Sequence, residues 1–403
     1  MALYPLTSLE SSLIKTILSE TLEHDKPLDK AVSLTFKQRK VVGIAQSHVM
    51  TALGDIMRRL NLYAYLLDCS HINVATRSEA AICAWHVLNE LETPEFIKKR
   101  KRFISQIEPR LELAKQEPTL MAGCPDWLEE IGAEQLGDAW PAERDALAQA
   151  PQRFIRVNTL KCSAEQLAAQ LSEEGIKTRA LRKVPSALKV LSNRSLFKTE
   201  AFKNGWFEQQ DAGSQMIAPL LGVEPGMRVI DACSGAGGKT LHLAAMMEAK
   251  GRLLAMDIEQ WKLDNLRQRA KRAGASNIET RLIENSKTIK RLKNSADRLL
   301  LDVPCSGFGV LKRNPDTKWR YGLDNLEELI STQQDILTRY SQMVRSGGEL
   351  VYATCSLLPV ENEQQVMTFL DRCDGEFELV EQHHISPAET GFDGFYMAKL
   401  KRN

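Results

Sequence analysis

Long apolar runs are missing from this sequence. None of its 403 residues lies in a stretch that approaches the roughly 18 apolar residues needed by a membrane-spanning helix. The amino terminus, MALYPLTSLESSL, has neither a basic start nor a sustained apolar segment, which argues against a secretory signal peptide. We therefore expect a cytoplasmic protein with no membrane partner.

Cysteine is thinly spread. The eight cysteines include no CxxC pair, so neither a zinc site nor a disulfide scaffold is expected. We predict reduced thiols and no bound metal. The cysteines are Cys69, Cys83, Cys124, Cys162, Cys233, Cys305, Cys355 and Cys373.

An excess of charge of one sign is also missing. The formal net charge is +1, and hydrophobic residues make up 43% and charged residues 26% of the chain. These values are close to the globular average, so neither a disordered nor a fibrous protein is favoured. With so small a net charge, a polyanion such as RNA would have to bind to a local basic face. The length predicts two or three domains.

The first part of the sequence has helical patterning. Residues 5–117 contain few glycines and include long amphipathic stretches at 38–67 and 78–91. We predict an all-helical domain over residues 1–120. The basic run KKRKR at 98–102 is either a solvated helix face or a grip on RNA phosphates.

A small α/β module is predicted over residues 121–208. Pro118, Gly123 and Pro125 mark the boundary before it. The alternating run RFIRVN at 153–158 predicts a strand, and residues 163–174 predict a helix with Ser163 as its N-cap. Residues 177–191 predict further strands.

From residue 209 onward, short apolar runs alternate with helical patterns. Such alternation predicts an α/β domain over residues 209–403, with a doubly wound parallel sheet covered on both faces. The candidate strands are residues 227–233, 252–257, 278–283, 298–303 and 349–354, with a last strand pair near Leu379 and Tyr396.

A glycine-rich loop follows the first of these strands. It reads DACSGAGGKT from Asp231 to Thr240 and leads directly into a helix. Glycines at this point let the backbone approach a ligand, although a plain strand-to-helix turn explains them equally well. Asp257 favours the interpretation as a ligand-binding loop, because an acid at the end of the next strand accepts hydrogen bonds from ribose hydroxyls.

Two phosphate-binding patterns are absent from this loop. The spacing GxxxxGK[ST] fails because Cys233 stands where its first glycine would be. The spacing GxGxxG fails because Thr240 is not a glycine. A cofactor with a ribose but no pyrophosphate, such as S-adenosylmethionine, fits both absences.

Two further strands end in thiols. One reads DVPCSG and contains Asp302 and Cys305, and the other reads TCS and contains Cys355. Either cysteine alone is better explained as an inert core residue, because free cysteine is among the most buried residue types. Neighbouring parallel strands would bring both to one cleft, where a thiolate can add to C6 of a cytosine and activate C5 for methylation. Asp302 can assist by hydrogen bonding at N3 and N4 of the ring.

Together these motifs resemble the RNA cytosine-5 methyltransferases of the bacterial RsmB and eukaryotic nucleolar NOP type, over most of the chain. The resemblance implies a class I, Rossmann-like methyltransferase domain, S-adenosylmethionine as cofactor and RNA as substrate. The matching motifs, in the family's order, are RVN at 156–158, QDAGSQ at 210–215, GGKT at 237–240, Asp257, DVPCSG at 302–307, NPD at 314–316 with Trp319, TCS at 354–356 and PVENE at 359–363.

The resemblance also implies roles for individual residues. Cys355 would be the nucleophile and Cys305 would assist release of the methylated base. Asp302 and Lys239 would contact the base or the methyl-transfer centre. Cofactor contacts would come from Asp257, Asn285 and Asp302 and from the loop residues Cys233, Ser234, Gly235, Ala236, Gly237, Gly238 and Lys239.

The chain departs from the family at two cofactor positions. Asn285 stands where the family often has an aspartate, and an asparagine can still hydrogen bond to adenine. Ala236 stands where the family usually has proline, which frees φ and predicts a looser unbound loop. Neither change affects the two cysteines.

The amino-terminal region resembles the NusB-like RNA-binding domain of RsmB-type enzymes, as in SLTFKQR at residues 33–39. We therefore expect the first two domains to bind RNA. By the resemblance, the substrate is small-subunit, 16S-type ribosomal RNA, and we expect a monomer. Basic side chains expected to help are Lys287, Lys290, Arg291, Lys312 and Arg313.

Other functions are open at this point, among them a transfer RNA cytosine-5 methyltransferase and a non-catalytic RNA-binding relative. A DNA cytosine-5 methyltransferase uses the proline-cysteine thiol of the fourth strand as its nucleophile, with a Glu-Asn-Val motif. This chain instead has Glu361-Asn362-Glu363 and a second thiol at Cys355. A methyltransferase for a small molecule or a protein would not need two cysteines in the cleft.

Overall fold

The computed structural model describes residues 3–41, 43–320 and 322–403. Residues 1, 2, 42 and 321, which fall within the predicted domains, lie outside the described residues. The chain forms two units. We call Met1–Pro151 together with Val310–Leu323 the helical unit, and Gln152–Gly309 together with Asp324–Asn403 the sheet unit.

The helical unit packs α-helices around an apolar core. Leu13, Ile14, Ile17 and Leu18 are buried at helical spacing in the first helix, and Trp85 is among the largest fully buried side chains. This agrees with the helical patterning of the sequence. The helices before residue 151 are α1 (Ser8–Leu22), α2 (Leu28–Gln38), α3 (Ile44–Arg58), α4 (Leu60–Leu67), α5 (Ser78–Leu88), α6 (Arg100–Ala114), α7 (Pro118–Ala122), α8 (Asp126–Leu136) and α9 (Trp140–Leu147).

The start of α1 is fixed by a capping box. The hydroxyl of Thr7 accepts a hydrogen bond from Glu10 N at 3.2 Å, and the Glu10 carboxylate accepts one from Thr7 N at 2.8 Å. This pair satisfies amide groups that have no partner inside the helix. Glu10 also lies 3.0 Å from Nδ1 of the buried His48, which joins α1 to α3.

A segment from late in the sequence, Val310–Leu323, completes the helical unit. The Asp316 carboxylate accepts a hydrogen bond from Leu28 N at 3.0 Å, and Trp319 Nε1 donates to Met57 O at 2.7 Å. These partners lie 288 and 262 positions earlier in the chain. The predicted domain boundaries after residues 120 and 208 stay a prediction, but the segment that contains NPD packs with the amino-terminal helices.

The sheet unit begins with a small sheet in the order β2-β3-β1-β4, in which all paired strands are antiparallel. The strand predicted at 153–158 is confirmed as β1. The Ser163 cap is also confirmed, because its hydroxyl accepts a hydrogen bond from Gln166 N at 3.2 Å. The elements are β1 (Phe154–Val157), α10 (Ala164–Glu173), β2 (Thr178–Ala180), β3 (Ala187–Val190), α11 (Glu200–Lys203) and β4 (Phe207–Gln209).

A second, larger sheet holds the rest of the sheet unit. Its elements are α12 (Ala212–Gln215), α13 (Ile217–Leu220), β5 (Arg228–Asp231), α14 (Gly238–Met246), β6 (Arg252–Asp257), α15 (Gln260–Ala273), β7 (Ile278–Leu282), α16 (Ser286–Lys290), β8 (Ala296–Asp302), α17 (Thr317–Arg320, within the helical unit), α18 (Leu323–Tyr340), β9 (Val344–Thr354), α19 (Glu363–Arg372), β10 (Phe377–Ile385), α20 (Pro387–Thr390) and β11 (Phe395–Arg402).

The larger sheet has the order β10-β11-β9-β8-β5-β6-β7. Strands β5 to β9 pair in parallel, and β11 runs antiparallel to both of its neighbours. The predicted α/β class is therefore confirmed, with a mostly parallel sheet. Consecutive residues such as Leu299, Leu300 and Leu301 are fully buried, which requires cover on both faces because side chains alternate along a strand.

The strand order reverses at β5, which pairs with β6 on one side and β8 on the other. Open α/β sheets bind their ligands beyond the carboxyl ends of the strands at such a point. Asp231 is the last residue of β5, so the glycine-rich loop opens at this position. Within the described ranges, no helix is long and apolar enough to cross a membrane.

Candidate active site

The carboxyl ends of four parallel strands bring the predicted site residues to one edge of the larger sheet. In the register of the sheet, Asp231 of β5 pairs with Ala255 of β6 on one side. On the other side, Asp302 at the end of β8 pairs with Ala353 of β9. Cys305 follows β8 by three residues and Cys355 follows β9 directly. Topology thus gathers motifs that are far apart in the sequence.

The two predicted thiols are in contact. Cys305 Sγ lies 3.3 Å from Cys355 Sγ, and the backbone N–H of Cys355 donates to Cys305 Sγ at 3.3 Å. Both side chains are half-buried, free thiols. The hydrogen bond with Cys355, followed by burial, raises the pKa of Cys305 well above its usual value. Cys305 therefore keeps its proton at neutral pH.

Lys239 and Asp302 form an ion pair beside the thiols. Lys239 Nζ lies 2.5 Å from Asp302 Oδ2, and the two side chains are 12% and 28% exposed. Burial favours the neutral amine, but the charge and hydrogen bond of Asp302 outweigh it and raise the pKa of Lys239. Lys239 Nζ also lies 5.5 Å from the ring centroid of Phe395. The pair places a fixed positive charge and a hydrogen-bonding carboxylate at the mouth of the site.

Asp231 lies beneath this pair and is almost completely buried. Its Oδ2 accepts a hydrogen bond from Thr240 Oγ1 at 2.7 Å, whereas Oδ1 has no partner among the described residues. Burial raises the pKa of Asp231 to about 7. Burial likewise raises the pKa of the neighbouring Cys233 thiol well above its usual value, with Asp231 adding to the effect. Cys233 is thus a protonated, packed thiol.

The glycine-rich loop leaves open space where its backbone faces outward. Gly235 adopts φ +54°, and a Cβ built on it or on Gly238 would meet nothing within 4 Å. Gly237 has φ +88°, and a side chain there would collide with Leu266. The backbone can therefore approach a ligand closely at Gly235 and Gly238, while Gly237 is required for packing.

Asp257 supports the start of this loop. Its Oδ2 accepts a hydrogen bond from Gly235 N at 2.9 Å, and its Oδ1 accepts one from Glu259 N at 2.9 Å. Each carboxylate oxygen can accept a second hydrogen bond. The side chain is 8% exposed and its Oδ1 lies 4.0 Å from Lys262 Nζ, so the carboxylate presents hydrogen-bond acceptors in fixed directions.

Two arginines that the sequence analysis did not assign to the site hold the loop from outside. Arg269 Nη1 donates to Ala236 O at 2.5 Å, and Arg156 Nη1 donates to Gly238 O at 2.5 Å. Arg269 is itself held by Glu208, 2.9 Å away. Burial lowers the pKa of Arg156 to about 9, so it remains charged at neutral pH. These contacts limit the freedom that Ala236 gives the loop in place of proline.

The residues present fit S-adenosylmethionine. Ser234 Oγ is buried and has no hydrogen-bond partner among the described residues. It borders the open backbone at Gly235, where Asp257 supplies free acceptor capacity for ribose hydroxyls. A loop with an unpaired donor and open glycines, beside an acid at the end of the next strand, has the features that a nucleoside cofactor requires.

Comparison with known proteins identifies the family of the chain. The family described as "16S rRNA methyltransferase RsmB/F" matches residues 218–401, and the "Methyltr_RsmF/B-like, ferredoxin-like domain" matches residues 124–196. The Synechocystis sp. protein named "Probable ribosomal RNA small subunit methyltransferase B" is 35% identical over 301 residues. The chain belongs to the RsmB/F methyltransferase family.

The match to this RsmB/F relative covers 69% of the present chain and 66% of the relative. Among solved structures, PH0851 is 24% identical, covers 98% of this chain and 100% of that chain, and has a TM-score of 0.82. NSun6 from Pyrococcus horikoshii, solved with SFG, is 23% identical, covers 69% of this chain and 98% of that chain, and has a TM-score of 0.63. These structures support the fold.

Some residues that the RsmB/F resemblance selected lie apart from the thiols. Asn285 is exposed and caps α16, with its Oδ1 accepting a hydrogen bond from Lys287 N at 2.9 Å. The N–H groups of its side-chain amide could therefore still donate hydrogen bonds to a ligand. Lys287, Lys290 and Arg291 are exposed, as expected for a basic surface. Lys312 is only 3% exposed, so the expectation that it faces RNA is wrong, because Lys312 packs into the helical unit.

Proposed function

We propose that this RsmB/F-family chain transfers a methyl group from S-adenosylmethionine to carbon 5 of a cytosine in RNA, with Cys355 as the covalent nucleophile. The observation that carries the proposal is the 3.3 Å contact between the sulfurs of Cys305 and Cys355. Two free thiols in contact at a ligand-binding strand edge match a reaction in which one sulfur bonds to the ring and the other assists its departure.

The chemistry follows from the low nucleophilicity of cytosine C5. The Cys355 sulfur adds to C6 and forms a carbon–sulfur bond, which makes C5 electron-rich. C5 then accepts the methyl group, and the cofactor's sulfonium would leave as the neutral thioether S-adenosylhomocysteine. Transfer of the C5 proton to water or another base restores the C5–C6 double bond and breaks the carbon–sulfur bond, so the Cys355 sulfur is released.

The Lys239 and Asp302 pair is suited to hold the ring during this addition. Addition at C6 places negative charge on the ring at N3, and a proton or positive charge at that position stabilises it. Asp302 can accept a hydrogen bond from the N4 amino group, and Lys239 supplies the fixed positive charge 2.5 Å from that carboxylate. The pair would therefore stabilise the charge that develops on the ring, while the Cys355 sulfur forms and breaks the bond to C6.

The protonated Cys305 is suited to the release step. When the carbon–sulfur bond breaks, negative charge returns to the Cys355 sulfur. Cys305 Sγ lies 3.3 Å from Cys355 Sγ, close enough to hydrogen bond to the departing sulfur and stabilise its returning charge. On this geometry and the family resemblance, we assign attack to Cys355 and assistance of release to Cys305.

The cofactor would be held by the loop from Cys233 to Lys239, with further contacts from Asp257, Asn285 and Asp302. When bound, S-adenosylmethionine supplies an electrophilic methyl group on a positively charged sulfur. Structure neighbour NSun6 was solved with SFG, an analogue of that cofactor. The chain's own contribution is the open backbone at Gly235 and Gly238, the acceptors of Asp257 and the arginine contacts that keep the loop in place.

We further propose that the RNA is small-subunit ribosomal RNA and that the enzyme acts in the cytoplasm as a monomer. The names of the RsmB/F family and of its Synechocystis relative support the ribosomal substrate. The exposed basic side chains of Lys287, Lys290 and Arg291 supply local positive charge, which a chain with a net charge of +1 needs for binding a polyanion.

The test is a methylation assay with labelled S-adenosylmethionine and unmodified small-subunit ribosomal RNA, followed by nucleoside analysis. The wild-type protein should produce 5-methylcytidine, and Cys355→Ala should produce none. Unmodified transfer RNA is the comparison substrate. Methyl transfer at an undiminished rate by Cys355→Ala, or label found only in another nucleoside, would contradict the proposal.

A further inference from the structure

A buried carboxylate, that of Glu361, hydrogen bonds to both cysteine loops, the segments after β8 and β9 that contain Cys305 and Cys355. Glu361 is completely buried. Its Oε1 accepts hydrogen bonds from Ser306 N at 2.8 Å and from Gln333 Nε2 at 2.9 Å. Its Oε2 accepts hydrogen bonds from Ser306 Oγ at 2.6 Å and from Ser356 Oγ. One side chain thus binds the residue that follows each of the two reactive cysteines.

The β8–β9 ladder stops short of the two cysteines, and the backbone contacts around them include Cys355 N to Cys305 Sγ at 3.3 Å and Gly309 N to Cys355 O at 2.9 Å. Strand pairing between β8 and β9 ends at Asp302 and Ala353, so both sulfurs lie beyond the ladder. The only other side-chain contact between the two serines is direct, with Ser306 Oγ 3.2 Å from Ser356 Oγ among the described residues. Glu361 itself is anchored to β9, because Tyr352 Oη donates to Glu361 O at 2.7 Å.

We propose that Glu361 is a positioning residue that fixes the distance between the Cys305 and Cys355 sulfurs through Ser306 and Ser356. For its catalytic consequence this inference rests on the proposed function. The distance itself is a property of the folded protein and can be measured without RNA or cofactor.

The hydrogen-bond arrangement requires a carboxylate at this position. Ser306 Oγ accepts from Phe308 N at 3.4 Å, and Ser356 Oγ accepts from Leu358 N at 3.1 Å. The Ser356 hydroxyl donates to Glu361 Oε2, and the Ser306 hydroxyl can donate to Glu361 Oε2 at 2.6 Å or to Ser356 Oγ at 3.2 Å. A glutamine has only one acceptor oxygen, so Glu361→Gln would leave a donor facing a donor on one side of the group. One cysteine loop would then be released.

The matched variants are Glu361→Gln and Glu363→Gln. Both remove one carboxylate from the same PVENE motif without changing the size of the side chain. Glu363 has no contact with either serine among the described residues, and its carboxylate lies 3.7 Å from Nε2 of His384. Glu363→Gln therefore controls for the loss of charge and for the mutation of this segment.

Phenylarsine oxide reports the thiol distance directly. Its arsenic forms two arsenic–sulfur bonds and its oxygen leaves as water with the two thiol protons, so tight binding requires two adjacent thiols. Wild type and Glu363→Gln should bind it equally, and Cys305→Ala should give the weak baseline of a single thiol. Glu361→Gln should bind it about tenfold more weakly than wild type. Binding equal to that of Glu363→Gln would overturn the proposal.

Activity gives a second, separate measurement. Glu361 touches neither substrate nor cofactor in the proposed site, so Glu361→Gln should lower kcat by about 10- to 100-fold with KM values for RNA and S-adenosylmethionine unchanged. An unchanged kcat, or raised KM values, would contradict a positioning role. If arsenical binding weakens but the wild-type protein methylates no cytosine, the link stands and the proposed function fails.

A folding defect is handled by a second pair of variants. Should Glu361→Gln be unfolded by circular dichroism, Ser306→Ala and Ser356→Ala each remove one hydroxyl contact and leave the buried carboxylate hydrogen bonded. Each should weaken arsenical binding in a folded protein. Wild-type binding by both serine variants would overturn the proposal.

Discussion

Cys305 Sγ and Cys355 Sγ lie 3.3 Å apart, although their positions in the sequence differ by 50 residues. The hydrogen bond with Cys355 and burial raise the pKa of Cys305 well above its usual value, so Cys305 holds its proton at neutral pH. The contact places that thiol beside the sulfur proposed to bond to the cytosine ring. We propose that Cys305 assists the reversal of the bond that Cys355 forms.

Replacing Cys305 should separate the two roles. Cys305→Ala should still form the bond between Cys355 and C6 but release it slowly, because no thiol proton is available to the departing sulfur. A covalent protein–RNA complex should accumulate and survive denaturing electrophoresis. Cys69→Ala, which changes a free thiol of the helical unit, should give no complex and normal turnover. Unimpaired turnover without a complex in Cys305→Ala would show that the roles are assigned wrongly.

Replacing Lys239 should slow the chemical step. Lys239→Met removes the positive charge that lies 2.5 Å from Asp302, so ring charge formed during addition loses its stabilisation. Single-turnover rates should fall about 10²- to 10⁴-fold. Lys250→Met, at an exposed lysine paired with Glu248, is the control and should react at the wild-type rate. A loss of less than about twofold in Lys239→Met would exclude Lys239 from the reacting centre.

The arginine contact to the cofactor loop should be visible in cofactor binding. Arg269→Met removes the hydrogen bond to Ala236 O, while Arg272 continues to pair with Glu208. The freed loop should bind S-adenosylhomocysteine roughly 3- to 10-fold more weakly by isothermal titration calorimetry. Arg267→Met, two residues away in α15 and paired with Asp264 on the surface, should retain wild-type affinity. Equal affinities for both variants would mean that the loop does not depend on this contact.

Asp231 should make stability depend on pH. Burial raises its pKa to about 7 in the folded protein, above the value near 4 of an unfolded aspartate. The folded state then binds the extra proton between these values, so this contribution to stability is complete at about pH 4 and is lost as pH rises through about 7. Asp231→Asn stays neutral and avoids the loss.

Urea unfolding at pH 5 and pH 8 measures this effect. The free energy of unfolding of Asp231→Asn relative to wild type should increase between the two pH values by up to about 3 kcal/mol, because about two pH units of the shift lie between pH 5 and the folded pKa. Asp264→Asn, on the exposed face of α15, should follow wild type at both pH values. A constant difference between Asp231→Asn and wild type would contradict a titrating Asp231.

The basic side chains at α16 should contribute to RNA binding through phosphate charge. In the double variant Lys287→Ala with Lys290→Ala, the KM for RNA should rise. The slope of log affinity against log salt should become less steep by about two counterions. The corresponding control is Lys203→Ala, which removes an exposed lysine already paired with Glu200. A slope identical to that of wild type would exclude α16 from the RNA surface.

The sequence predicted the strands of the larger sheet closely because each is a short apolar run between turn residues. The strand predicted at 252–257 has the observed bounds of β6, and the glycine loop, Asp302 and both cysteines were expected at strand ends. Parallel pairing then brings strand ends together without further information. Local pattern and topology were therefore sufficient for the central part of the site.

Contacts made by single side chains across long sequence distances were not predictable in this way. Arg156 reaches Gly238 O from 82 positions away, and nothing in the RVN motif shows which carbonyl it binds. Lys312 was expected to face RNA, but its segment packs with the amino-terminal helices and buries it. The PVENE motif contains two glutamates, and nothing in its sequence shows that Glu361, and not Glu363, accepts four hydrogen bonds.

The central claim is that Cys355 forms the covalent bond to cytosine. RNA containing 5-fluorocytidine has no proton at C5 to lose, so the wild-type protein should remain attached to it after methyl transfer. Digestion with trypsin and nuclease followed by mass spectrometry then identifies the modified residue. We predict the methylated fluoronucleotide on the peptide 346–372, at Cys355. Attachment at Cys305 on the peptide 299–312, or methylation of normal RNA with no adduct on fluorinated RNA, would contradict the account.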